Sequence, residues 1–305
     1  MDGVLTGFVT IGVLIGMGAW VAHLGILDLA GGRLLALISF SVASPALLLT
    51  TIAESDPGVL FTTPLLVSAV AAGGTMLLYV VPARLAWRED AGSAVVGGFT
   101  TGYVNSANLG IPIATYVLGN AALVAPILLL QLIVIQPVGL AILDAQAAGK
   151  RPTLVGSVRT ILTNPLTLAT LAGVVLALTG WRLPELVASP IHVLAGFAIP
   201  AVLMAYGVTL RLGPGIAATG RDRLALTSGL KLVIHPLLAF LAGRLLGLDG
   251  QLLFAVVVLA ALPTAQNVFV IATRYDRAEI LTRDTILLTT LGSVPVIALI
   301  ALLLG

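Results

Sequence analysis

Apolar residues run along this chain in nearly continuous stretches, separated by short segments that hold its few charges. A helix that crosses a bilayer needs about 20 apolar residues. Ten such spans fit the chain, over residues 3–22, 34–53, 59–82, 93–118, 121–143, 153–179, 189–210, 223–247, 251–273 and 282–304. Only Gly119-Asn120 separates the fourth from the fifth. Two spans are interrupted. The fourth carries Asn105-Ser106-Ala107-Asn108-Leu109-Gly110-Ile111-Pro112, and the ninth carries Leu262-Pro263-Thr264-Ala265-Gln266-Asn267. These interruptions take corresponding places in the two halves of the chain. Opened backbone at bilayer depth persists only where it is buried in protein or lines a wet cavity. A matched pair of Gly/Pro-interrupted spans points to a transporter's binding site.

Composition supports the bilayer as solvent. Hydrophobic residues make up 59% of the chain and charged residues 9%, against about 25% charged in soluble domains. A soluble enzyme is thereby excluded. The 33 glycines suit membrane helices that pack through small side chains. Cysteine is absent, so disulfides, thiolate metal sites and cysteine nucleophiles are excluded. The net charge of +2 comes from loops and reads as an orientation signal, with no nucleic-acid partner. Only Asp2 precedes the first span, where a cleavable signal would need basic residues.

The charges also set a topology. Odd-numbered loops hold Arg33; Arg84 and Arg88; Lys150 and Arg151; Arg211, Arg221 and Arg223; and Arg274, Arg277 and Arg283. Even-numbered loops hold Arg182 and, near a helix end, Arg244. Arg159, at the start of the sixth span, reads as an interfacial anchor. By the positive-inside rule the odd loops are cytoplasmic, and both termini lie on the extracytoplasmic side of the cell membrane. The expected fold is an all-α polytopic membrane protein of ten transmembrane helices. It comprises two inverted five-helix repeats, residues 1–143 and 153–305, joined by a cytoplasmic linker at 144–152. Internal similarity agrees, since Phe40…Pro45 in the second span resembles Phe197…Pro200 in the seventh. Pro45 to Pro112 is 67 residues, and Pro200 to Pro263 is 63.

The interruptions carry the candidate chemistry. Pro112 removes a backbone donor and crowds the carbonyl of Asn108, while Gly110 permits dihedrals other residues resist. The helix is expected to open across residues 105–111, and the start of the next half-helix offers unpaired N–H groups to an anion. Asn105 and Asn108 share one face before the break. Pro263 frees the carbonyl of Leu259, with Thr264, Gln266 and Asn267 at the break. In the plainer alternative prolines kink packed helices and amides bridge neighbours, which suffices for a single motif. Two motifs at matching depth favour a binding site.

Other chemistry is sparse. The acids from Asp28 to Asp284 fall in loops or at span ends, which argues against a cation/proton exchanger. No metal site is expected, because His23, His192 and His235 are dispersed. Any sodium would be held by carbonyls, amides and hydroxyls. Lys231 and His235 share a face of the eighth span and are candidates for a coupling or charge role. Against this, Lys231 has reach enough to snorkel to the cytoplasmic interface, and His235 suits a neutral hydrogen-bonding role. No phosphate-binding loop or Ser/His/Asp grouping appears.

These motifs resemble a family. Gly102-Tyr103-Val104-Asn105…Gly110-Ile111-Pro112, followed by Leu118-Gly119, resembles the fourth helix of the auxin efflux carrier family. Pro263-Thr264-Ala265-Gln266-Asn267-Val268-Phe269, ending Ala272-Thr273-Arg274-Tyr275, is similar to its ninth, and Asn164-Pro165 to its sixth. The resemblance implies a fold shared with bile acid:sodium symporters, with a scaffold of helices 1, 2, 6 and 7 and a transport domain of the rest. It implies elevator-like motion, a homodimer joined through the scaffold, and small organic anions such as auxin, malonate or malate as substrates. It carries over Asn105, Pro112 and Pro263, with Gln266 and Asn267. The expected function is a secondary carrier of a small carboxylate, held at the half-helix N-termini by Asn105, Asn108 and Asn267, with Gly110, Ile111, Pro112, Pro263, Thr264 and Gln266 forming the site. No cofactor is expected beyond coupling to Na+ or H+. The alternative is a sodium-coupled symporter of a larger amphipathic anion, with Na+ at Gln266 and Asn267. A third reading, a non-transporting receptor on the same scaffold, stays open.

Overall fold

In the computed structural model, residues 2–54, 63–110, 113–114, 117–149, 165–213 and 220–305 are described. They form helices α1 (Asp2–His23), α2 (Leu29–Ala53), α3 (Thr63–Leu85), α4 (Ala91–Gly102), α5 (Pro126–Ala147), α6 (Pro165–Thr179), α7 (Glu185–Leu212), α8 (Arg221–Leu245), α9 (Gly250–Ala260), α10 (Gln266–Tyr275) and α11 (Glu279–Leu304). Six of them, α2, α3, α5, α7, α8 and α11, are long and apolar enough to cross a bilayer. Large apolar side chains cover the outside, among them Trp20, Leu85, Leu186 and Leu302. That surface fits hydrocarbon and would be untenable in water. The chain is a multi-pass membrane protein.

Both expected interruptions are present. The ninth span divides into α9 and α10 around residues 261–265, and α4 stops at Gly102. The break in the fourth span starts earlier than its proline predicts, with extended backbone already at Tyr103 (φ −93°, ψ 105°). A wide turn over Ser106–Gly110 follows, in which the Asn105 carbonyl accepts from Leu109 and Gly110. Ile111 and Pro112 lie outside the described residues. Gly110 is required by space: a Cβ there would sit 2.7 Å from Cγ2 of Val124. Crowding by the start of the next span, which the expectation of unusual dihedrals overlooks, explains the glycine.

Prolines elsewhere act differently. In α2, α5 and α8 a wide turn directly precedes Pro45, Pro137 and Pro236. In each, the residue before the proline donates five residues back, Ser44 to Ser39, Gln136 to Gln131 and His235 to Leu230. The widened turn accommodates the ring and the missing N–H while the helix continues. α1 lies against α7 so closely that a Cβ on Gly18 or Gly207 would collide with a carbonyl of the other helix. The core is centred on the interruptions, where Val104, Leu109, Val258, Leu262 and Val268 are fully buried.

α11 begins at Glu279, one turn before the expected span, and this draws Arg283 and Asp284 into the interior. Asp284 Oδ1 accepts from Arg283 Nε at 2.8 Å and Nη2 at 2.6 Å. The expectation that acids stay at span ends therefore fails for Asp284. Because α11 continues into a packed contact with α7, where Tyr206 donates to the Arg283 carbonyl at 2.7 Å, the carboxylate enters the bundle already neutralised.

Candidate functional site

The two interruptions cross and pair. Val104 and Thr264 form an antiparallel bridge. Asn105 N–H donates to the Pro263 carbonyl at 2.9 Å, and Ala265 N–H to the Tyr103 carbonyl at 3.1 Å. Each break thus satisfies part of the other's opened backbone, which hydrocarbon could not do. Thr264 completes the joint. Its hydroxyl donates to the Thr100 carbonyl at 2.6 Å, and its N–H donates to Thr289 Oγ1 at 3.2 Å.

A cavity of about 70 Å³ opens beside the crossing, room for on the order of five waters or a small anion. Val104, Asn105, Ser106, Ala265, Gln266 and Asn267 line it from the crossing. α2 contributes Phe40 and Ser44, α7 contributes Ala198 and Val202, and α5 contributes Gln131 and Gln136. The start of α10 lies at its wall with no side-chain cap, since Ala265 occupies that position in extended backbone. Such a start offers backbone donors and the positive end of a helix dipole. Asn267 Nδ2 donates to Gln136 Oε1 at 3.2 Å, while its buried Oδ1 meets no donor among the described residues.

Of the residues predicted from sequence, Asn105, Gln266 and Asn267 line this cavity. Gly110, Pro263 and Thr264 shape the crossing, and Thr264 is committed to holding α4 and α11. Asn108 lies in the wide turn. Gln131 and Gln136 were not among the predicted residues. Gln131 Oε1 accepts from Val104 N–H at 3.1 Å, and its Nε2 donates to the Val104 carbonyl at 2.9 Å and to Ser106 Oγ at 3.2 Å. Gln136 Oε1 also accepts from Tyr103 Oη at 2.8 Å. Two glutamines in an otherwise apolar span were the available signal.

Lys231 and His235 do not line the cavity. Snorkelling is ruled out, because Lys231 is 0% and His235 1% exposed. Lys231 Nζ is 2.7 Å from His235 Nδ1 and donates to the Ala260 carbonyl at 3.3 Å. The wide turn at Leu230–Ile234 carries Lys231 inward, and its amino group caps the Ala260 carbonyl at the C-terminal end of α9. Among the described residues no group of three or more His, Cys, Asp or Glu could hold a metal.

Comparison with known proteins places this architecture. The family described as "Membrane transport protein" matches residues 149–301. The chain belongs to this family. A protein named for malonate transport in Rhizobium meliloti (strain 1021) is 36% identical over 213 residues, covering 68% of this chain and 66% of that protein. Auxin efflux carrier component 1 of Arabidopsis thaliana is 27% identical over 151 residues, 48% of this chain and 24% of the carrier. Component 8 of the same plant is 29% identical over 140 residues, 45% and 38% of the two chains. The matches thus span from a quarter to two-thirds of these relatives. The family comprises membrane transporters of the auxin efflux and malonate type, and not enzymes.

Proposed function

We propose that this protein is a secondary carrier of a small organic anion, a mono- or dicarboxylate, held at the crossing of the fourth and ninth spans. The observation that carries this reading is the small cavity at the paired breaks, largely apolar but holding the side-chain amides of the crossing, with the uncapped start of α10 at its wall. A carboxylate there would accept from the α10 backbone and from side-chain amides of Asn105 and Gln266, with low surrounding dielectric strengthening each bond. The protein named for malonate transport supports the same substrate class.

In this reading the halves 1–143 and 153–305 are inverted repeats, and the carrier works as a homodimer through its scaffold in the cell membrane. α1, α2, α6 and α7 form the scaffold against which the crossing moves. Support comes from the cavity wall, which joins α2 and α7 to the crossing. Alternating access follows from displacement of one unit against the other around the site.

The sodium-coupled alternative has one specific observation in its favour, the buried Asn267 Oδ1 acceptor. Counting against it, the tethered Nζ of Lys231 already occupies the end of α9, where a coupling cation would find free carbonyls. Proteoliposomes loaded with malonate and given labelled malonate outside test both readings. Saturable exchange that Asn105→Ala reduces at least tenfold, with or without sodium, is expected. Unchanged exchange in the variant would discard the site, and strict sodium dependence would favour the alternative.

A further inference from the structure

Two arginines join α2 and α10 reciprocally on one side of the cavity. Arg33 of α2 donates from Nη2 to the Thr273 carbonyl of α10 at 3.2 Å. In return Arg274 of α10 sets its guanidinium over the ring of Phe40 of α2, 4.6 Å from the centroid. Phe40 is 1% exposed and lines the cavity, whereas both arginines are exposed. Among the described residues neither arginine has an acidic partner within 4.0 Å. The nearby acids are engaged: Asp144 accepts from Tyr275 Oη at 2.7 Å, and Asp90 lies 3.4 Å from Arg277.

We propose that Arg274 is the docking residue for the incoming carboxylate and that its stack on Phe40 is the gate of the cavity. This rests on the carboxylate-carrier reading. Arg274 touches Phe40 but does not itself line the cavity, so an anion moving from its fork into the cavity must either leave the guanidinium or draw it off the ring. An exposed cation–π contact shifts an equilibrium only about two- to fivefold. A bidentate carboxylate pair leaving bulk water is worth about tenfold or more. The anion that keeps hold of Arg274 as it enters takes it from Phe40, and the ring is released from the cavity wall. Arg33 keeps the other strand of the latch, a neutral carbonyl contact that an anion also competes for. The latch spans α2 and α10, which the carrier reading assigns to scaffold and transport unit, so docking also loosens the contact that must break for movement. The two guanidiniums further raise the local anion concentration at the mouth.

The chain has no cysteine, which permits a clean accessibility test. Ser44, inside the cavity, is replaced by Cys and labelled with a membrane-impermeant maleimide in purified protein. Adding Arg274→Gln or Phe40→Leu is expected to raise the labelling rate about two- to fivefold, matching the strength of the stack. Malonate is expected to accelerate labelling with Arg274 present and to lose that effect in Arg274→Gln. In malonate exchange, Arg274→Gln is expected to raise KM about tenfold, with Arg274→Lys intermediate because it keeps charge without the planar fork. Equal labelling in Ser44→Cys with and without Arg274→Gln would overturn the gate. An unchanged KM would overturn the docking role. Should the wild type move no malonate, the carrier reading for that substrate fails, while the labelling comparison still decides whether the stack closes the cavity.

Discussion

The amide of Gln131 grips the backbone of Val104 on both sides, accepting from its N–H and donating to its carbonyl. A side chain thus stands in for a neighbouring strand where the fourth span is extended. Gln131→Leu would leave the buried Val104 N–H without a partner, at about 1–3 kcal/mol, while the Val104 carbonyl keeps the bond from Ser106 N–H at 2.8 Å. We expect thermal unfolding in detergent to drop by a clear margin, with about 1–3 kcal/mol lost. Gln131→Glu, held neutral by burial, keeps an acceptor and one O–H donor, so it should fall between. A Gln131→Leu protein as stable as wild type would show that the crossing holds itself.

Lys231 presents a sign question. Burying an amine without a carboxylate is costly, and replacing such a group by an apolar one is often neutral or stabilising. The lost cap on the Ala260 carbonyl opposes that gain by about 1–3 kcal/mol. We therefore expect Lys231→Met to leave the melting temperature within a few degrees, because the two effects offset. Transport should nevertheless fall at least tenfold, since the electrostatics at the end of α9 change. A variant that transports normally would assign Lys231 to packing alone.

Asp90 gives a pH test outside the membrane-spanning helices. Its carboxylate caps α4, accepting from the Gly92 and Ser93 amides, Ser93 Oγ at 2.6 Å and Gln146 at 2.7 Å. Burial pushes its pKa up, but the bonds from Ser93 and Gln146 and the charge of Arg277 outweigh this and hold it below the usual range. A lowered native value means the stabilisation is complete above the ordinary aspartate pKa of about 3.9. It is lost as pH falls through the native value. Asp90→Asn should accordingly melt below wild type at pH 7, and the two curves should converge in strong acid. Neighbouring Glu89 is raised by burial against the pull of Arg223, and the charge of Asp90 adds to that rise, so Asp90→Asn relieves part of it. A gap that persists unchanged in strong acid would refute the charge assignment.

Gly207 should tolerate no side chain. Its Cβ position collides with the Ile15 carbonyl, so Gly207→Val forces α1 away from α7 at about 1–3 kcal/mol or more. Melting in detergent checks this, and an unchanged melting point would mean that α1 is free to retreat at no cost.

Much of this was legible in the sequence, where the physics is one-dimensional. Long apolar runs dictate spans, and prolines with polar neighbours mark where helices open, so Asn105, Gln266 and Asn267 could be placed at the cavity. What escaped depends on contacts across the bundle. Gly110 looks like a dihedral device until Val124 is seen against it. Lys231 has the reach to snorkel, yet the wide turn at Leu230–Ile234 turns it inward. Gln131 is one polar residue among many apolar ones until Val104 comes within reach. Asp284 reads as a span-end acid because one extra turn of α11 cannot be read from hydropathy.

The hydrogen bonds from Asn105 to Pro263 and from Ala265 to Tyr103 have a mechanical consequence. In the carrier reading, a molecule gripped on that floor would ride on one stitched piece, because shearing the two rods apart would strand main-chain groups in oil. Whatever travels, the knot travels whole.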